Sequence, residues 1–367
     1  MVNRAEPPIP GYRAFDVVGS GATSVVYRAW HDATRRYVAV KVLEVDDPHD
    51  PALPRFERER ETLGRLGSHP HIVQVFDAGL SADGRPFVVM QLYAGSVADW
   101  LTKRQTTFAE GDAAAVVAAI AGAVERAHEH DVLHRDIKPE NILLSRDGPG
   151  LADFGIAASS QASVDPDRRF TPRHTAPEVL DGSGAPSVHG DIWSLGSTLY
   201  TMLSGRPPFE RREGETLLAF SLRVRVEPLR DIPRRIDPSL LAAVQAMLAK
   251  DPSDRPRSAG ETRDQLEAIA SRHGRHDWPS LPDASPEAPP PEGLPARPGG
   301  AEPVTAMPVG QAASAPAMVI PEGATEGPGP RPGGDADSTQ EAKSELRARR
   351  RPSRTGPTST TSALPPP

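Results

Sequence analysis

The stretch VLHRDIKPENILL, residues 132–144, sets His134, Arg135, Asp136, Lys138 and Asn141 within eight positions between two apolar clusters. Neither a helix nor a strand satisfies so many polar groups in so short a run, so the stretch reads as a loop held in one shape for chemistry. It follows the alanine-rich segment EGDAAAVVAAIAGAVERAHEH (110–130), in which Val116, Val117, Ile120 and Val124 recur at helical spacing on one face. Twelve residues past Asn141, LADFGIA (151–157) brings a second acidic residue, Asp153, followed by Phe154 and Gly155. Two carboxylates and an amide oxygen are hard donors of the kind Mg²⁺ prefers, and Mg²⁺ usually accompanies phosphate.

Upstream of this loop the pattern changes. YRAFDVVG (12–19), SVVYRAW (24–30), YVAVKVL (37–43), HIVQVFDAG (71–79) and RPFVVMQL (85–92) are short β-branched runs separated by turn residues. The exception is PRFERERETLGRLG (54–67), with Phe56, Leu63 and Leu66 at helical spacing. A small, mostly antiparallel sheet with one helix is expected, followed from Glu110 by a helical part that includes DIWSLGSTLYTMLSG (191–205) and PSLLAAVQAMLAK (238–250). The fold class is therefore α+β with two lobes. QLYAGS (91–96) is the expected hinge between them, and small ligands usually bind in such a cleft. The turn GSGATSVV (19–26) has small residues that let backbone N–H groups approach phosphates. Lys41 lies inside an apolar strand, where a charge is costly unless it has a partner, and Glu59 on the sheet-lobe helix is the candidate partner.

Composition narrows the classes further. At 367 residues with a net charge of -7 and both signs mixed, the chain gives no reason to expect a nucleic-acid partner. It has no cysteine, which excludes disulfides, thiolate metal sites and a cysteine nucleophile. MVNRAEPPIPGY lacks the apolar core of a signal peptide. No run reaches the roughly 18 apolar residues of a membrane span, so a cytoplasmic protein is expected. Composition breaks near Asp277, and about half of the 41 prolines follow it. That part is expected to be disordered because it cannot bury enough apolar surface to offset its ordering entropy. Within it, PPPEGLPARP (289–298) reads as an extended linker or a ligand for a proline-binding partner. RARRRPSR (347–354) reads as a solvated patch or a contact for an anionic partner.

These segments, in this order, resemble a serine/threonine protein kinase of the bacterial eukaryotic-like class. HRDIKPEN with DFG carries the resemblance. GSGATS departs from the usual glycine pattern by placing Ser24 where a third glycine stands. The resemblance implies a two-lobed kinase domain over residues 11–270, with the sheet lobe at about 11–93 and the helical lobe at about 94–270. Residues 1–10 would be an extension and 271–367 the tail. It implies ATP and Mg²⁺, or Mn²⁺ in its place, and protein substrates with Ser or Thr acceptors. By the same resemblance Asp136 would be the catalytic base and Lys138 would neutralise charge on the transferred group. Asn141 and Asp153 would hold the metal, and Lys41 would contact phosphates while paired with Glu59. Glu57 and Glu61 share that helix, but only Glu59 lies four residues before Leu63. The nucleotide would lie against Val18, Gly19, Ser20, Gly21, Ala22, Thr23 and Ser24, between Val26, Ala39 and Leu143, with Met90 as gatekeeper and Gln91, Leu92 and Tyr93 as hinge.

The resemblance also assigns architecture. His134 and Phe154 would join Leu63 and Val75 in an internal spine, Glu178 would pair with Arg255, and Asp191 would brace the catalytic loop. His69 and His71 match a turn entering a strand. Arg135 would pair with a phosphate on Ser159, Ser160 or Ser163 if the segment before Ala176-Pro177-Glu178 is so activated; Phe170 replaces a usual glycine, and Thr171 aligns with a residue that contacts the base. Back-to-back pairing of sheet lobes and proteins that bind the tail remain open partners. A non-catalytic scaffold would usually lack the lysine, the base or the metal Asp. An aminoglycoside-type phosphotransferase would lack the Ala-Pro-Glu segment and Lys138.

Overall fold

Alternating β-branched residues build the first lobe. In the computed structural model, which describes residues 7–21, 24–43, 66, 68–154, 172–274, 278, 279 and 281, all described residues belong to one unit spanning Met1–Val309. Strands β1 (Tyr12–Ser20), β2 (Ser24–His31), β3 (Arg36–Leu43), β4 (Val75–Leu80) and β5 (Pro86–Met90) form an antiparallel sheet in the order β1-β2-β3-β5-β4. The two-residue period sends Val25, Tyr27, Ala29, Val38, Val40, Val42, Phe87 and Val89 into one apolar cluster. By the same parity Val26, Ala39, Lys41, Val88 and Met90 share the opposite face, which becomes the roof of the cleft.

Two edges differ from expectation. Ile9 is buried in the sheet-lobe cluster, and the carbonyls of Pro8 and Gly11 accept hydrogen bonds from Ala82 and Asp32 at 2.9 and 3.0 Å. The packed chain therefore begins before residue 11. Strand β4 starts at Val75 and not at His71, because Val73 turns away to donate to the Leu151 carbonyl at 3.0 Å and Ile72 bridges Leu151.

After the hinge, β6 (Gly95–Ser96) pairs with β7 (Ile142–Ser145), and β7 with β8 (Gly148–Leu151). Helix α1 (Val97–Arg104) opens on a capping box formed by Ser96 and Asp99. Helix α2 (Glu110–His128) buries 12 of its 19 residues, so the expected single apolar face is replaced by burial on nearly every side. Alanine makes this workable, since it lets neighbouring helices approach closely. Around α2 stand α3 (Pro177–Leu180), α4 (Val188–Ser204), α5 (Leu217–Val226), α6 (Pro238–Met247) and α7 (Ala259–His273). The boundary expected at 270 falls inside α7, whose buried Leu266, Ile269 and Ala270 carry the core to its C-cap, Gly274. Trp278 and Leu281 pack beyond it. No described helix is long and apolar enough to cross a membrane.

Candidate active site

The polar octet forms the loop between α2 and β7, and a single buried carboxylate holds its entrance. Asp191, in the first turn of α4, accepts the His134 and Arg135 backbone N–H groups at 2.9 and 2.8 Å. Its Oδ2 also accepts from His128 Nε2 at 2.8 Å. Arg135 has φ 66, a left-handed conformation that costs a non-glycine residue about 1–3 kcal/mol and persists only where the surroundings enforce it. The three donors converging on Asp191 supply that enforcement. His128, the last residue of α2, lies outside the octet and was not among the candidates read from the sequence.

His134 is fully buried and does more than fill space. Its Nε2 donates to the Ala152 carbonyl at 2.9 Å, and its Nδ1 faces the Asp136 N–H at 3.3 Å. The first contact needs a proton on nitrogen and the second a lone pair, so the neutral Nε2–H tautomer fits both. The ring packs edge-on against Phe154 at 4.7 Å. Through this imidazole the loop bearing Asp136 is fastened to the segment bearing Asp153.

Asp136 is held through one oxygen. Lys138 Nζ and Asn141 Nδ2 both donate to Oδ2, at 2.7 and 3.1 Å, and Asn141 Nδ2 also reaches the Asp136 carbonyl at 2.8 Å. Among the described residues nothing donates to Oδ1, which can accept from a ligand. The Asn141 amide nitrogen is thus engaged, its oxygen is the donor it can offer a cation, and its carbonyl accepts the Ala152 N–H at 2.9 Å beside Asp153.

Across the cleft, Lys41 Nζ donates to Asp153 Oδ1 at 2.6 Å, joining two residues 112 positions apart. Burial pushes the Asp153 pKa up, but the charge and hydrogen bond of Lys41, helped by the charge of Lys138, hold it below the usual carboxylate value. Asp153 also has a positive φ of 63. The expected Lys41 partner, Glu59, lies outside the described residues, as do Ala22, Thr23, Leu63, Ser159, Ser160, Ser163, Phe170 and Thr171.

The remaining candidates lie on β1, β2 and the turn between them, on β3, β5 and β7, and on the segment after β5. Gly21 N–H closes the β1–β2 turn on the Ser24 carbonyl at 2.7 Å, Gly19 pairs with Val26 and Ser20 with Val25. Val18 is exposed in β1, Ala39 pairs with Met90, and Leu143 lies in β7 opposite Ser96. At the hinge, Gln91 N–H is taken by the Gln74 carbonyl at 2.9 Å, which leaves its carbonyl for a ligand. Tyr93 turns its ring away onto Gly150, where any Cβ would collide with the hydroxyl, so its backbone is what it can present. Burial and the charge of Asp147 push that phenol up to about 12.

A protein kinase domain model matches residues 12–266. The chain belongs to this family. The kinase domain is 39% identical over 268 residues to the serine/threonine-protein kinase PknK of Mycobacterium bovis, covering 72% of this chain and 24% of that protein. It is 31% identical over 275 residues to the probable serine/threonine-protein kinase pknA2 of Bifidobacterium longum, covering 73% and 36%. The chain therefore spans about a quarter to a third of the length of these relatives. In structure it resembles the PknI kinase domain of Mycobacterium tuberculosis, with a TM-score of 0.51, 30% identity, and coverage of 71% of this chain and 96% of that one.

Two further contacts complete the kinase domain's helical lobe. Arg255 makes a two-pronged pair with Glu178 at 2.7 and 3.0 Å. His174, buried next to Ser197, is pushed down to about 3 by burial and then by the charges of Lys138 and Arg173. Among the described residues no group of three or more His, Cys, Asp or Glu side chains could hold a metal ion. A site of two oxygen donors suits Mg²⁺, which keeps several waters and binds substrate phosphates instead of a full protein cage.

Proposed function

We propose that the domain transfers the γ-phosphoryl group of ATP to Ser or Thr hydroxyls of proteins, with Mg²⁺ or Mn²⁺ as the cation. The observation that carries this reading is the asymmetric Asp136 carboxylate: Lys138 and Asn141 fix Oδ2, and among the described residues Oδ1 has no donor and can accept the proton of an incoming hydroxyl. Phosphoryl transfer asks mainly for positioning and charge stabilisation, so a carboxylate that orients the nucleophile is the expected device. Lys138, 2.7 Å from that carboxylate, lies where it can neutralise charge on the transferred group. Lys41 orients Asp153 and offers positive charge to phosphate oxygens. Asn141 Oδ1 and Asp153 Oδ2 are the donors that would hold the cation, whose role is to neutralise the phosphates. Val26, Ala39, Met90 and Leu143 would enclose the adenine, with the Gln91–Tyr93 backbone at its edge.

Finer readings accompany this one. Self-phosphorylation on Ser159, Ser160 or Ser163, pairing of sheet lobes, partners for the proline-rich tail, and a cytoplasmic setting where ATP is available are all compatible with it. The test is incubation of the full chain with Mg²⁺ and γ-labelled ATP beside Asp136→Asn, followed by mass spectrometry. Phosphoserine or phosphothreonine in the wild type alone is expected. Equal labelling of both proteins would remove Asp136 from its role, and no labelling of the chain or a generic acceptor would remove the activity.

A further inference from the structure

Beyond the end of the family match at residue 266, the described chain returns to the back of the hinge. Helix α7 stops at Gly274, and Trp278 and Leu281 then lie against three separate segments. Leu281 is buried at 3% exposure, and a Cβ placed on Gly95 would stand 2.5 Å from its Cδ1. Trp278 faces Gly148, where a Cβ would meet its Nε1 at 3.3 Å and its Cε2 at 3.4 Å, and its indole lies edge-on to His71 at 5.8 Å. Gly95 and Gly148 have φ values of 156° and 132°, which L side chains rarely adopt. Two sockets without side chains are thus filled by two apolar residues of the returning chain.

The three contact points are the parts that shape the nucleotide cleft from behind. Gly95 and Ser96 follow the hinge and pair with Leu144 and Leu143. Gly148 turns β7 into β8. His71 bonds the Pro149 carbonyl through Nδ1 at 2.9 Å, just before Ile72 and Val73 dock on Leu151. Post-hinge strand, floor hairpin and sheet-lobe connection are therefore fastened together by one strap.

We propose that Trp278 and Leu281 are positioning residues for nucleotide binding: the strap they form holds the hinge and the Leu143 floor in the arrangement that accepts the adenine. This rests on reading the cleft as an ATP site. Their contacts run through Gly95, Gly148 and His71, so the effect is on the fraction of molecules whose hinge is set to bind. Apparent affinity falls in proportion to that fraction.

The experiment uses the full chain as wild type, Trp278→Ala/Leu281→Ala, Leu281→Ala and Trp278→Phe. It measures Mg-ATP dissociation constants by fluorescence with a labelled nucleotide, together with KM for ATP and kcat, well below each variant's melting temperature. The double variant should raise Kd and KM together by about tenfold, as expected if the competent fraction drops to roughly a tenth, while kcat at saturating ATP stays within about twofold. Leu281→Ala should fall between, and Trp278→Phe, which keeps an aromatic in the socket, should stay near wild type. If the double variant does not fold, Leu281→Ala alone decides. A lower melting temperature with unchanged Kd and KM would make the strap structural only and overturn the proposal. Wild-type chain that binds no Mg-ATP would overturn the ATP reading and the strap with it, whereas tight binding by wild type and variants alike would overturn the strap alone.

Discussion

Replacing Arg255 with Met should destabilise the domain far more than removing any exposed cation. The Arg255 side chain is fully buried and Glu178 is 10% exposed. The guanidinium spends two N–H groups on the Glu178 carboxylate at 2.7 and 3.0 Å, and donates to the carbonyls of Ala249 and His189 at 2.8 and 3.0 Å. It also stacks 4.8 Å from the Trp193 ring centroid. Methionine keeps much of the apolar volume but strands a buried carboxylate, and breaking such a pair costs about 3–5 kcal/mol. By contrast, Arg126 and Glu129 meet at 3.5 Å with side chains 41% and 57% exposed, so Arg126→Met should cost under about 1 kcal/mol. Urea unfolding at neutral pH compares the two. Adding Glu178→Leu to Arg255→Met should recover most of that loss of about 3–5 kcal/mol, because the stranded charge is then gone. A loss below about 1.5 kcal/mol in Arg255→Met, or a double variant no more stable than the single, would refute the argument that desolvated charge dominates here.

Three other outcomes follow from the site. His128→Phe should lower kcat about tenfold with little change in KM for ATP, because Asp191 loses a charge-assisted donor worth about 1.5–3 kcal/mol. His128→Gln, which restores an N–H at a similar reach, should recover most of that rate, and equal loss in both variants would contradict the role. His174 should tilt the acid limb of stability. Its folded pKa is about 3 against an ordinary 6.5, so below pH 6.5 only the unfolded chain takes up its proton. Stability from this group therefore falls by up to about 1.4 kcal/mol per pH unit until pH approaches 3, and His174→Gln should flatten that window in unfolding measurements. Finally, Lys41→Met should depress phosphoryl transfer at least a hundredfold by removing the charge 2.6 Å from Asp153, and retention of more than a tenth of wild-type turnover would exclude that role.

Much of this architecture was legible because local periods carry it. YVAVKVL alternates, and its two parities part: Val38, Val40 and Val42 enter the sheet-lobe core while Ala39 and Lys41 take the opposite face. The octet around Asp136 was legible for a different reason: short-range contacts such as Lys138 to Asp136 and Asn141 to Asp136 lie within five positions of each other. Helix α2 was harder to read, since an alanine-rich helix buried on nearly all sides shows weak amphipathy. A break in composition near Asp277 marks where apolar residues become sparse. It cannot show that two of them, Trp278 and Leu281, find glycine sockets far back in the chain.

By itself the sequence determined the two-lobed class, the order of the elements and the identities of the candidate groups, since each depends on residue types and spacings a few positions apart. Tertiary structure alone decided which of those groups meet. Lys41 with Asp153, His128 with Asp191, and Leu281 with Gly95 are separated by 63 to 186 positions, and nothing local encodes their distance. Their pairing follows from the packing of sheet and helices around shared cores, where burial makes each unmet charge or empty socket costly enough to select its partner.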